Sequence, residues 1–155
     1  MVKVVKDLPL SEIILRRYEK PYNLGRRELV KKICLSLGLL QAGDSRDIIV
    51  DILLVLIDAS KEKKEIPLEE IKEKAIKLRE QNNLEVKGIA DSNIRRQLKR
   101  LRDLMIAEKN SNNYKLSEFE TLSSIFQEKI ENFFLPQITA RIKEYLAELE
   151  KSQSL

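Results

Sequence analysis

One run of the chain, IIVDILLVLIDA at residues 48–59, sets the terms for everything around it. Wound as a helix at about 100° per residue, it is apolar on nearly every side. Such a helix cannot rest any face on water, so other elements must wrap it. The run is too short to span a bilayer, and Asp51 interrupts it. A buried strand is the alternative, but the run is long for a strand. It also opens on DSRD, where Asp44 or Ser45 can cap a helix and Asp47 suits its first turn. Residues Asp44–Ser60 are therefore expected to form a central core helix. A lone acid such as Asp51 is expected to face outward or to meet a basic partner at the core's edge.

The wrapping elements follow from periodicity. A short helix is expected from about Leu10 to Glu19, stopped by Pro21. Arg26–Leu37 reads as a helix with Leu29, Val30, Ile33, Cys34 and Leu37 inward and Arg26, Arg27, Lys31 and Lys32 outward. Cys34 on that face is expected to be buried and structural. Ile66 is expected to make a brief strand, and Pro67 to open a helix carrying a stripe of Leu68, Ile71, Ala75, Ile76 and Leu78. Asn82–Asp91 is a link of unusual length, with room for an extra helical turn.

Charge narrows the function classes. The net charge of +4 is modest, but it is unevenly spread: Lys and Arg number 9 against 4 acids in residues 1–43 and 7 against 3 in residues 91–116. The chain has no histidine and a single cysteine, which excludes histidine metal sites, the commonest acid–base catalyst and an internal disulfide. No Gly-rich phosphate loop or nucleophile–base pair is recognisable, so no catalytic residue, metal or cofactor is expected. The N-terminal stretch lacks the apolar core of a secretion signal, and a cytoplasmic setting with no membrane partner is expected. No small-molecule ligand is evident.

The stretch SNIRRQLKRLRDLMIAEKNSNNYKLSE, residues 92–118, is the most informative. On a wheel starting at Ile94, the residues Leu98, Leu101 and Met105 form a narrow seam, with Arg96, Lys99, Arg100 and Asp103 opposite and Arg95 and Arg102 flanking. Arg, Asn and Lys are the side chains that pair with guanine, with adenine and with phosphate. Ser92 and Asn93 lie in the first turn, the end of a reading helix that enters a groove. Two short apolar runs then flank a polar turn at Asn110–Asn113, a hairpin pattern. Together with EIPLEEIKEKA upstream, this stretch resembles the winged helix-turn-helix superfamily of DNA-binding transcriptional regulators.

The resemblance covers roughly residues 44–118. It implies Asp44–Ser60 as first helix, Ile66 as first strand, Leu68–Gln81 as second helix, Ser92–Leu104 as recognition helix and Ile106–Leu116 as wing. This sequence departs from the family in its long link before the recognition helix and in a wing tip, NSNN, without a basic residue. Arg26–Leu37 with Asp44–Ala59 is a rival helix-turn-helix, but its second helix has almost no polar face to offer a groove.

Beyond the hairpin, Ser117 and Glu120 have the spacing of a capping box, and Phe119, Leu122, Phe126, Ile130 and Phe133 step at helical intervals. Pro136 is expected to kink or break that helix. Leu135, Ile138, Ile142, Tyr145 and Leu149 then form a two-heptad seam, which could pair two copies of the chain or fold back on one.

The expected protein is mainly α with a small β-hairpin, a winged helix-turn-helix core at 44–118, an N-terminal helical arm at 1–43 and a C-terminal helical region at 119–155. Its expected function is non-enzymatic transcription regulation: a homodimer on double-stranded DNA, with Ser92, Asn93, Arg95, Arg96, Lys99 and Arg100 at the contact. A winged-helix module for protein interaction or assembly, without specific DNA binding, is the alternative.

Overall fold

The computed structural model describes residues 7–153. The element order is α1 (Arg26–Ser36), α2 (Ile48–Lys61), β1 (Ile66–Pro67), α3 (Leu68–Gln81), α4 (Asp91–Asp103), β2 (Ala107–Asn110) and β3 (Asn113–Leu116). A 3₁₀ turn at Ser117–Phe119 leads to α5 (Leu122–Ile125), a π-helical stretch (Phe126–Phe134) and α6 (Leu135–Gln153). The protein is mainly helical with one small antiparallel sheet, ordered β1-β3-β2.

α2 is the hub its composition demands. Ile48–Leu56, Ala59 and Ser60 are all buried. α1, α3, α4 and β3 pack around it, so that most of its circumference is taken. The helix starts at Ile48, two or three residues later than a cap at Ser45 or Asp44 would place it. The Asp44 carboxylate instead accepts from the Gln41 N–H at 3.0 Å in the turn before, and Asp47, at the N-cap position, spends its own on Arg79 and Arg27.

The sheet forms as the patterning requires. Ile66 pairs with Tyr114, and β2 and β3 pair from Ala107↔Leu116 to Asn110↔Asn113, leaving a two-residue turn at Ser111–Asn112. That turn is tighter than the four-residue one expected, with Ser111 taking the left-handed φ of 56° that such turns need. Ile66, Tyr114 and Leu116 point into the core.

Three expectations near the ends are corrected. No helix forms at Leu10–Glu19; the chain there runs without regular structure along the end of α1. The last carbonyls of a helix lack partners within it, and Arg16 supplies them. Its backbone N–H donates to the Ser36 carbonyl at 2.8 Å, and its Nη1 donates to the carbonyls of Leu35 at 2.9 Å and Leu40 at 3.1 Å. Gly38 makes this approach possible. Its φ is +71°, and a Cβ there would stand 2.6 Å from the Ile14 Cβ.

Ser117 does not cap the C-terminal helix. It is buried, and its hydroxyl donates to the Met105 carbonyl, while Thr121 caps α5 by accepting from the Ser124 N–H at 3.2 Å. Nor does Pro136 break the rod: Leu135 keeps helical angles (φ −61°, ψ −48°). Proline removes one helical N–H and crowds the turn before it. That preceding turn is the wider π-helical one.

α1 also sits rolled from its expected orientation. Val30, Cys34 and Leu35 are buried, Leu29 and Ile33 are partly exposed, and Arg27 reaches inward. Cys34 is fully buried, and burial pushes its thiol up to about 12. Val30, Cys34, Leu35, Leu39 and Leu40 belong to the same core as α2–α4, so one core runs across the interval between residues 43 and 44. Among the described residues no helix is long and apolar enough to cross a membrane.

Candidate nucleic-acid interface

α4 is held from within by Ile94, Leu98 and Leu101, each fully buried. The three lie at intervals of four and three residues, which aligns them on one face and turns the rest outward. Ser92, Arg95, Arg96, Lys99, Arg102 and Asp103 are exposed. Asn93, Gln97 and Arg100 occupy a flank between the two faces.

The six DNA-contact residues expected from sequence therefore divide. Arg95 and Arg96 project from the outer face with no hydrogen bond or ion pair among the described residues. Lys99 projects too, but its ammonium is 3.1 Å from both carboxylate oxygens of Asp103. Ser92 lies exposed in the first turn. Asn93 and Arg100 are used internally instead. The Asn93 amide donates to the Gly88 carbonyl at 2.8 Å and accepts from Gln97 at 3.1 Å. Arg100 donates to Gln97 at 2.9 Å and to the Gly38 carbonyl at 3.2 Å. These two fix α4 to the link before it and to the end of α1. The wheel sets Arg100 opposite Ile94, yet the Gly38 carbonyl, in the turn after α1, reaches that flank from a distant part of the chain.

Two basic residues outside the expected set face the same way. Arg102 is exposed and unpaired among the described residues, and follows Arg95 and Lys99 at helical spacing. Lys109 on β2 and Arg95 line one groove of about 220 Å³ together with Leu68, Glu69 and Tyr114. The periodic signal for Arg102 was available, since it sits seven residues after Arg95. The one for Lys109 was not, because only the fold brings the hairpin beside α4. The hairpin's other lysine, Lys115, is engaged with Glu108 at 3.5 Å and Glu65 at 3.9 Å. The tip itself, Ser111 and Asn112, is exposed and uncharged.

A charge cluster between α1, α2 and α3 anchors the link that leads to α4. Arg79, 3% exposed, donates from Nη1 to Asp47 at 2.9 Å and to Asp51 at 2.8 Å. Arg27 takes Asp51 from the other side at 3.0 Å and 3.2 Å. Asp51 thus meets basic partners as expected, but inside the core rather than at its edge. Burial pushes the Asp47 carboxyl up, yet the hydrogen bond from Arg79 and the charges of Arg27, Arg79 and Lys31 outweigh it and hold it below the ordinary value. Burial likewise works against the Arg79 charge, and the bonds to Asp51 and Asp47 more than compensate. From its Nε, Arg79 also donates to the Glu85 carbonyl at 2.6 Å, tying down the link that leads to α4. That link forms no further helical turn.

The seam residues of the C-terminal rod divide as well. Leu135 and Ile138 are partly covered, and the segment Leu8–Ser11 lies close to Ile138 and Tyr145. Ile142, Tyr145 and Leu149 are exposed, Tyr145 at 71%, and Leu146 joins them. Among the described residues no group of His, Cys, Asp and Glu could hold a metal ion. Comparison with known proteins found no matching family model, no similar curated protein and no similar solved structure.

Proposed function

We propose that the protein is a non-enzymatic DNA-binding regulator of the winged helix-turn-helix kind, with α4 as its reading helix and β2–β3 as its wing. The observation that carries this reading is the outer face of α4, where Arg95, Arg96 and Arg102 stand exposed and unpaired among the described residues while the opposite face is locked in the core. Unpaired arginines on a rigid helix are poised for bidentate contact with guanine or phosphate at little ordering cost. The order helix–strand–helix–helix–strand–strand from α2 to β3, with β3 central in the sheet, supports the same reading. Arg95 and Lys109, which line one groove, would grip the backbone beside the reading helix. Arg102 and Lys109 are thus added to the contact set, and Asn93 and Arg100 become residues that position the helix.

The exposed Ile142, Tyr145, Leu146 and Leu149 favour pairing of two copies through α6. A helix of 19 residues is about 28 Å long, enough to hold two heads apart on one duplex. The same apolar strip favours a second reading, in which the molecule is an assembly module for another protein.

Selection of bound duplexes from a random library, followed by a salt titration on the winner, separates the two. The DNA reading expects a steep loss of affinity with salt, and a slope lower by about three units in the Arg95→Ala/Arg96→Ala/Arg102→Ala triple variant. An unchanged slope in that variant would sink it and leave the assembly reading in first place.

A further inference from the structure

Between the rod and the main core lies a pocket of about 460 Å³, the size of a small-ligand site. Its floor is Leu53, Ile106, Ile125 and Ile130, each 3% exposed or less. Ile33 of α1 and Leu37 just beyond it form one wall and Phe126 the other. The π-helical stretch shapes it: closing each turn at the fifth residue instead of the fourth lets Phe126, Ile130 and Glu131 face the same cavity. Wide turns of this sort strain a helix and tend to persist at functional sites.

The polar atoms at the rim are biased towards acceptors. The Ser36 hydroxyl already donates its proton to the Lys32 carbonyl at 2.7 Å, so it presents lone pairs to the pocket. Glu131 is exposed at the mouth and has no ion pair among the described residues. Gln127 and Ser123 beside it add an amide and a hydroxyl, which can accept or donate.

We infer that this pocket binds a small apolar amine: the hydrocarbon body lies on Leu53, Ile106 and Phe126, and the ammonium group faces Glu131 and the Ser36 oxygen. The site stands on the cavity alone and does not depend on the DNA reading. It backs onto Ile106, whose N–H donates to the Leu101 carbonyl at 2.9 Å, closing the end of α4, and whose own carbonyl accepts from the Ser117 N–H at 3.0 Å. A bound molecule would therefore lie against the joint between α4 and the hairpin.

The test is fluorescence titration of the full chain with 1-naphthylmethylamine and, as its oppositely charged twin, 1-naphthoate. The amine is expected to saturate at one molecule per chain and the carboxylate to bind more weakly. Glu131→Gln should reduce amine affinity about fivefold, the worth of one exposed charge pair, without weakening naphthoate. Ile33→Trp, at a half-open position in the wall, should fill the cavity and abolish amine binding while the denaturation midpoint stays put. No saturable binding of the amine, equal binding of the two probes, or amine binding that survives Ile33→Trp would each overturn the assignment.

Discussion

Two groups of arginines in this molecule have nearly identical surroundings in sequence and opposite fates in space. Arg27 and Arg79 sit on helices dense with charge, and each buries its guanidinium against Asp47 and Asp51. Arg95, Arg96 and Arg102 sit on an equally charged helix and form no hydrogen bond or ion pair among the described residues. The difference teaches that local charge density is silent about use. What decides is whether the fold brings a carboxylate to the guanidinium: Asp47 and Asp51 come from 32 and 28 residues away from Arg79. The inner pair holds the helices together. The outer three leave their donors for a partner.

This contrast can be broken in order of expected effect. Asp51→Ala should be the most damaging, since it removes the fully buried acid and leaves two guanidinium groups to share Asp47 beside a cavity. About 3–5 kcal/mol of stability should go, read as a lower urea midpoint with an unchanged slope. A loss under about 1 kcal/mol would mean that water reaches the cluster and that inner and outer arginines differ less than their burial says.

Acid should attack the same cluster. Asp47 takes up its proton at lower pH when folded than when unfolded, where an aspartate titrates near about 3.9. Its contribution is therefore complete at neutral pH, begins to fade as pH drops towards about 4, and is lost as pH falls through the folded value. In an Asp47→Asn variant the acid limb of the stability profile should be shallower over that window.

Arg96→Ala tests the outer group. Stability should hold within about 0.5 kcal/mol. Affinity for the preferred duplex should fall by about 1–3 kcal/mol if the side chain reads a base. Arg100→Ala is the sharper comparison, because sequence alone treats the two alike. It should cost about 1 kcal/mol of stability through its bonds to Gln97 and the Gly38 carbonyl. Its effect on DNA should be uniform across sequences. Lys99→Ala should do least: its partner Asp103 is on the same exposed face, so the pair is worth under about 1 kcal/mol, and the salt slope should fall by about one unit.

How much was legible in the sequence depends on where the determining contact lies. α2, α3, α4 and the hairpin are written in local periodicity, and so is the burial of Leu98, Leu101 and Cys34. The roll of α1 is not, because Arg27 is drawn inward by Asp51, a residue of another helix. The Leu10–Glu19 segment has helix-forming residues, yet the free carbonyls at the end of α1 recruit Arg16 and hold the chain irregular. At the candidate site, exposure of Arg95 and Arg96 followed from the wheel. The capture of Asn93 and Arg100 by Gly88 and Gly38, and the approach of Lys109 to Arg95, required the tertiary structure. The cavity beside Phe126 depends on π-helical turns that no residue spacing announces.

Arg79 gives the link at residues 82–90 a property that its irregular backbone hides. The same side chain that closes on Asp47 and Asp51 also grips the Glu85 carbonyl, and Asn93 grips Gly88 at the other end. The segment cannot drift without first opening the charged centre of the protein. Its internal amide protons, Leu84 among them, should exchange with solvent at rates near those of α2 and not those of a loop. α4 would then have one orientation in the free molecule, fixed before any partner arrives.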